Sequence, residues 1–225
     1  MEKQLLFDAG DIGPKHNSGH AHADNLNVLL YVNKEDIFVD SGTYNYKDGL
    51  KRNYYRSTKA HNTIEIEGVN QTTFWGPFRT GYIAKSKLIK DHLEGNVLKV
   101  AAKHDGYKRI KQKVIHEREI MWDRKQSWAI FDKLSGWGNI KGKLCYHLGL
   151  TCSNVQYDNN KLKLTFANSI VEMRFISKSK FRIQIEDAPI SLEWNKEKST
   201  KKIVRSFRSK LPFDIKTEIN ITNIK

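Results

Sequence analysis

Tyr157-Asp158-Asn159-Asn160-Lys161-Leu162-Lys163-Leu164-Thr165-Phe166 sets a turn signal directly against a strand signal. Asparagine and aspartate favour tight turns, and the lysine–leucine alternation that follows sends charged and apolar side chains to opposite faces of an extended chain. Similar short runs, rich in β-branched and aromatic residues, recur in both directions. Downstream lie Ile170 to Ile176, Phe181 to Ile185 and Ile215 to Ile221; upstream lie Asn27 to Val32, Asp36 to Val39, Asn62 to Glu67, Val97 to Ala101 and Ser127 to Leu134. Lys47-Asp48-Gly49, Glu94-Gly95-Asn96 and Ser135-Gly136-Trp137-Gly138-Asn139 supply further turns between runs. Helical periodicity is scarce. The expected fold class is all-β, a large antiparallel two-sheet β-sandwich, because strands joined by short turns bury their apolar faces most economically against a second sheet.

The chain of 225 residues, 39% of them hydrophobic, is read as one domain over 1–225. Residues 8–81 are rich in Gly, His, Asn, Asp, Arg and Tyr and are expected to carry site-bearing loops, whereas 82–225 reads as scaffold strands. Against 25 Asp and Glu stand 39 Lys and Arg, a formal net charge of +14. Such an excess attracts polyanions: acidic polysaccharide, nucleic acid or anionic lipid. A lysine-rich solvated surface gives the same number, and the basic residues are spread along the chain. No aromatic-rich RNA-recognition strand is present, so nucleic acid is not expected as a partner. Cys145 and Cys152 make neither a disulfide framework nor a CxxC pair and read as ordinary thiols. No apolar run reaches the roughly 20 residues of a membrane span. The chain opens almost at once on strand and loop (Leu5 to Gly10), which points to a polypeptide that starts further upstream.

The sharpest local motif is Gly19-His20-Ala21-His22-Ala23-Asp24. In an extended segment His20, His22 and Asp24 share one face and the alanines the other. Phe38-Val39-Asp40-Ser41-Gly42-Thr43-Tyr44 ends an apolar strand on a carboxylate, and Arg56-Ser57-Thr58-Lys59-Ala60-His61-Asn62-Thr63 brings another imidazole. Such groups can supply the nitrogen and oxygen ligands that zinc accepts, and a hydrogen-bonded surface pair is the competing reading of His-X-His. A cupin-type site needs a glutamate a few residues after His-X-His; Leu26 and Asn27 stand there instead.

Taken in order, Asp8-Ala9-Gly10, the Gly19 to Asp24 motif, Val39 to Tyr44, Arg56-Ser57-Thr58 with Ala60-His61-Asn62-Thr63, and Gly76 to Arg79 resemble the signature of the heparinase II/III family. Trp128 to Leu134 and Tyr146-His147-Leu148 extend the likeness over most of the chain. Members pair an N-terminal α/α toroid with a C-terminal β-sandwich and cleave uronic-acid polysaccharides by β-elimination, often in the periplasm or outside the cell. The resemblance implies that His22, Asp40 and His61 bind a structural zinc and that His20 is a catalytic residue facing the substrate. Arg56 and Arg79 offer forks for carboxylate or sulfate, and Tyr44 is expected to touch substrate. The expected partner is an acidic polysaccharide such as heparin or heparan sulfate, alginate or a capsular glycan. The base and acid of the family come partly from the toroid, so a non-catalytic, zinc-containing carbohydrate-binding module is the alternative.

Several residues are left open. Tyr46, Tyr54, Tyr55, Trp75 and Phe78 read either as sugar contacts or as loop packing. Asp24 reads as a partner that orients a histidine ligand, or as a turn carboxylate. His16 is expected to be an exposed loop histidine, and His92, His104, His116 and His147 to be structural.

Overall fold

The computed structural model describes residues 2–14 and 17–224. His16 lies outside them. In chain order the strands are β1 (Lys3–Phe7), β2 (Val28–Val32), β3 (Glu35–Phe38), β4 (Ile64–Ile66), β5 (Phe74–Trp75), β6 (Arg79–Thr80), β7 (Ser86–Glu94), β8 (Val97–His104) and β9 (Ile115–Trp122). They continue with β10 (Ser127–Ser135), β11 (Asn139–His147), β12 (Asn154–Asp158), β13 (Lys161–Thr165), β14 (Ser169–Ile176), β15 (Phe181–Glu193), β16 (Lys196–Lys210) and β17 (Phe213–Asn223). A short helix α1 (Leu50–Tyr55) and a 3-10 turn (Thr58–Ala60) lie between β3 and β4.

The strands pair antiparallel. An eight-stranded sheet runs β12-β13-β14-β17-β10-β9-β8-β7 and a four-stranded sheet runs β15-β16-β11-β4; a three-stranded sheet, β1-β2-β3, and the ribbon β5-β6 complete the set. The all-β, sandwich-like expectation is met, with two small sheets added to the two large ones. Ile130, Ile215, Ile219 and Val171 from the eight-stranded sheet share one buried core with Leu144, Tyr146, Ile203 and Phe207 from the four-stranded sheet. Each such side chain contributes about 1.5–3 kcal/mol on burial. Between β12 and β13, Asn159 and Asn160 both take positive φ, 46° and 64°, the two-residue loop whose twist matches that of its strands.

Strands that alternation alone does not reveal have identifiable causes. β9 turns His116, Arg118 and Ile120 inward, so two of its three core positions are charged or polar types. β11 holds Gly142 where an added Cβ would collide with the Phe207 ring, which removes an apolar residue from the pattern. The first four residues of β16, Lys196 to Ser199, are exposed on both faces.

The charged residues of β9 tie the scaffold to the loops. Arg118 grips Asp132 with two bonds, Nε to Oδ1 at 2.7 Å and Nη2 to Oδ2 at 3.1 Å, all fully buried. Its Nη1 donates to the carbonyls of Leu26 and Asn62, each at 2.7 Å. The amide of Gly106 donates to His104 Nδ1, so His104 Nε2 donates to His116 Nδ1 (3.2 Å) and His116 Nε2 to Asp132 Oδ1 (2.6 Å). Leu26 and Asn62 stand beside the two segments that carry the candidate site.

Candidate metal centre and cleft

The Gly19 to Asp24 segment joins no sheet and is not the extended run expected of it, because Gly19 and His20 lie in a turn. Burial still alternates along it: Ala21 and Ala23 are buried, His22 and Asp24 half-buried and His20 exposed. It is held by Ala21 N–H to Ser18 O and Ala23 N–H to Arg56 O. His61 follows the 3-10 turn and has no exposed surface. Asp40 follows β3.

Side-chain atoms of His22, Asp24 and His61 able to ligate a metal all lie within 4.8 Å of one another. The rings of His22 and His61 are 5.3 Å apart. His61 Nδ1 is 2.7 Å from Asp40 Oδ2, while His61 Nε2 is buried without a hydrogen-bond partner. Asp40 also accepts from Asn27 Nδ2 on Oδ2 (2.9 Å) and from the Gly42 amide on Oδ1 (2.7 Å). His22 Nε2 stands 3.3 Å from Thr43 Oγ1 and 3.5 Å from Arg52 Nη1.

Electrostatics separate the two imidazoles. Burial, with help from His61 and nearby arginines, pushes His22 down to about 3, so its ring is neutral and has a lone pair to give. Burial alone would lower His61 too, but the facing Asp40 outweighs it and raises the group to about 9. Burial would raise Asp40, yet the same contact holds that carboxyl well below its ordinary range. Burial raises Asp24, and it raises neighbouring Asp8 to about 6, with Asp24 adding to the effect. Two imidazoles, two nearby carboxylates and an orphaned, buried Nε2 are a donor set that fits zinc. Asp40 behind His61 is the arrangement in which a carboxylate fixes the tautomer of a metal-bound histidine.

Two asparagines hold these groups in place. Asn27 bonds Asp40 through Nδ2 and accepts the Asn62 amide on Oδ1 at 2.8 Å. Asn62 Nδ2 donates to the carbonyls of Val28 and Val39, and its Oδ1 accepts from the backbone amide and Nδ1 of His147.

A cleft of about 400 Å³ is lined by His20, His22 and Asp24 together with Asp8, Asp11, Asn17 and Thr43. His20 sits at its mouth with its ring 4.7 Å from Tyr46 and 5.9 Å from Phe78. Arg79 is exposed, with its guanidinium 5.3 Å from the centre of the Trp75 ring. Tyr44 is half-buried, stacked on Tyr55 with Lys51 Nζ 3.9 Å from its ring centre. The free fork expected of Arg56 needs correction. Arg56 is 1% exposed; it donates to Ala21 O, Gly76 O and Pro77 O and packs on Phe74, so its guanidinium clamps the loops.

Sequence reasoning missed Arg52, a second clamp of this kind. It is buried, bonds Pro77 O and Gly19 O, reaches His22 and stacks on Tyr46. It also missed Asn27, Asn62 and Arg118. The signal available for Arg118 was a carboxylate, Asp132, inside an otherwise apolar strand, since such a buried charge needs a partner. His104, His116 and His147 are buried and bonded within the framework, whereas His92 lies on the exposed strand β7 beside Glu94. Cys145 and Cys152 are both free thiols.

An antiparallel sandwich with an imidazole–carboxylate cluster set in the loops at its rim defines the class of protein. The chain belongs to the heparinase II/III-like, C-terminal family, whose profile matches residues 2–222. It is 26% identical over 163 residues to a heparin-sulfate lyase of Bacteroides stercoris, a match covering 68% of this chain and 21% of that protein. It is 28% identical over 171 residues to a heparin-sulfate lyase of Bacteroides thetaiotaomicron, covering 71% and 22%. The chain thus aligns with about a fifth of the length of these curated relatives. Among solved structures, a heparinase III superposes with a TM-score of 0.79 at 18% identity, covering 99% of this chain and 33% of that one. The heparan sulfate lyase HepC of Pedobacter heparinus gives a TM-score of 0.79 at 17% identity, covering 98% and 33%. At these identities the superpositions establish the fold.

Proposed function

We propose that this chain is the β-sandwich part of a polysaccharide lyase that cleaves an acidic, uronate-containing glycan by β-elimination, working with an N-terminal toroid. The observation that carries the reading is an exposed imidazole, His20, in a cleft that His22 and Asp24 also line, these two forming a cluster with the buried His61. Elimination removes the proton on C5 of the uronate, moves that electron pair into a C4=C5 double bond and expels the glycosidic oxygen on C4. The C5 proton is weakly acidic, so the uronate carboxylate must be neutralised while negative charge builds beside it. His20, exposed in the cleft, would donate to that carboxylate, and the exposed Arg79 would offer a planar fork for carboxylate or sulfate. Tyr44 is assigned to substrate contact. The toroid is assigned the remaining base and acid.

His22 and His61 would hold the zinc, with Asp24 the carboxylate grouped with them and Asp40, bonded to the other ring nitrogen of His61, the alternative ligand. A bound zinc would supply charge that ties these loops together beside the cleft. The clamps Arg52 and Arg56 hold the loops through the protein's own bonds.

The test is near-ultraviolet absorbance of the unsaturated product. The chain joined to its toroid, given heparan sulfate and alginate, is expected to produce it, and His20→Ala to abolish it while zinc content stays at about one per chain. Asp40→Asn and Asp24→Asn, assayed for zinc by atomic emission, identify the ligating carboxylate. Full turnover by His20→Ala overturns the role of His20; glycan binding with no absorbance from the joined protein makes the chain a non-catalytic module.

A further inference from the structure

Away from the cleft, the four-stranded sheet carries a second feature on its outward face. Lys141 and Lys143 on β11, Arg208 on β16, Arg182 on β15 and Lys180 just before it all line one open cleft of about 750 Å³. All five are exposed. None is in an ion pair among the described residues. Lys141 lies directly opposite Arg208 across the ladder, and Lys143 is opposite Ser206, which is in turn opposite Arg182. Like charges facing each other across strands cost stability. Two carboxylates share the face: Glu65 on β4, 9% exposed, stands directly opposite Lys143 without an ion pair among the described residues, and Glu67 spends Oε1 on the backbone amide of Lys141, which leaves five cations over two carboxylates.

The other end of the same sheet is built the opposite way. There Lys201 faces Asp187 and Lys202 faces Glu186, and both pairs are salt-bridged. On one sheet, therefore, facing charges are salt-bridged at the end near the His61 loop, whereas at the far end cations outnumber carboxylates and none of the five is salt-bridged among the described residues. Lys141 and His147 are six residues apart on β11, so the cation-rich face begins roughly 20 Å from the strand end that bonds Asn62. A row of spaced ammonium and guanidinium groups in excess over the carboxylates of an open trough matches a linear ligand that carries a carboxylate or sulfate on each repeat.

We infer that the Lys141, Lys143, Lys180, Arg182 and Arg208 face is a second, non-catalytic binding site for an acidic polysaccharide, engaging a chain segment outside the cleft. The choice of polysaccharide as occupant rests on the reading of the family site above, and the face itself rests on its charge arrangement.

The test uses the full chain and heparin as probe, with binding measured by calorimetry at physiological ionic strength. Lys141→Ser, Lys143→Ser, Arg182→Ser and Arg208→Ser together are expected to weaken heparin binding about tenfold or more. A control of equal charge change on the other sheet, Lys87→Ser, Lys103→Ser, Lys163→Ser and Arg174→Ser, is expected to weaken it far less. His22→Ala should bind heparin through this face as the parent does, so failure of the metal reading leaves the result intact. Equal weakening by both quadruple variants overturns the proposal, because bulk charge then explains the binding. Binding of duplex DNA as tight as heparin, lost in the same variant, overturns it in favour of nucleic acid. Should the first variant unfold, the single charge reversals Lys143→Glu and Arg182→Glu carry the test, and unchanged heparin binding in both overturns it.

Discussion

The polypeptide before residue 82 and the polypeptide after it hold themselves together by different means. After residue 82, long strands bury Ile130, Ile215, Ile219 and Phe175 in one apolar core, and the buried Arg118–Asp132 pair sits in a connected set of bonds. Before it, strands are short and buried polar side chains bond backbone carbonyls: Arg52 to Gly19 and Pro77, Arg56 to Ala21, Gly76 and Pro77, Asn62 to Val28 and Val39. Apolar burial is non-directional and tolerates small changes, whereas a buried hydrogen-bonded group placed wrongly leaves its partners unsatisfied. Loops that gather the His22, Asp24 and His61 side chains therefore depend on bonds, and the strands beneath them on area. Arg118 is where the two meet.

Arg118→Leu should break the comparison most severely. It leaves the Asp132 carboxylate buried without its main partner and frees the carbonyls of Leu26 and Asn62. Removing one member of a buried pair costs about 3–5 kcal/mol. Urea denaturation should show that loss together with reduced zinc content, although Arg118 touches none of the candidate ligands. A loss below about 1 kcal/mol would mean that loops and scaffold are not coupled through this residue.

A matched pair of milder changes sharpens the contrast. Asn62→Ala removes bonds to Val28, Val39 and His147 and is expected to cost about 1–3 kcal/mol with a fall in zinc affinity. Ile219→Val, in the fully buried core of β17, should cost about 0.5–1.5 kcal/mol and leave zinc binding as it was. Equal effects on zinc from the two substitutions would erase the distinction between bonded loops and packed strands.

What the sequence revealed follows the same division. The runs at 127–134, 161–166, 170–176 and 215–221 are strands because alternation reports burial on one face, and these strands have one buried face. β9 was hidden because its inward face carries His116 and Arg118, and alternation cannot register a charge that is buried with its partner. In the loops, His22 and His61 were legible as candidate ligands and are brought together in space, but the carboxylate grouped with them is Asp24, read as an orienting or turn residue, while Asp40, read as a ligand, bonds His61 Nδ1. The enclosure of Arg56 was not legible, since an arginine has the same letter whether its guanidinium meets a ligand or three carbonyls. Asn27 and Asn62 were hidden for a similar reason: asparagine marks turns far more often than it bridges a carboxylate to a buried amide.

Acid should weaken the scaffold through the buried histidines. Burial drives His104 well below its ordinary value, with His116 and Arg118 adding to the effect; burial also lowers His116, against the pull of Asp132. In the unfolded chain both take a proton near pH 6.5, so below that pH the unfolded state binds more protons and stability falls. Each histidine contributes at most about 1.4 kcal/mol per pH unit, and the contribution is complete above pH 6.5. Asp132 acts in a lower window. Burial would raise it, but Arg118 and His116 hold it at about 2, so its contribution is present above the ordinary carboxylate range and is lost as pH falls toward that value. Urea midpoints taken between pH 7.5 and pH 5 with chelator present should fall for the parent protein. His104→Gln should flatten that fall, and an unchanged pH profile in that variant would remove His104 from the account.

The smallest effect is expected where charge is matched but exposed. Lys201 and Asp187 face each other across β16 and β15 at 2.7 Å, with side chains 51% and 72% exposed. Water screens such a pair and ordering two mobile side chains offsets much of its attraction, so Lys201→Ala should change stability by no more than about 0.5 kcal/mol. The same geometry in the buried Asp132 set carries several times that, because there neither partner can turn to water. Thermal melts of Lys201→Ala and Asp187→Ala, alone and combined, give the coupling energy directly. A coupling as large as that at Arg118 would show that distance between charges, and not their burial, sets the strength of ion pairs in this sandwich.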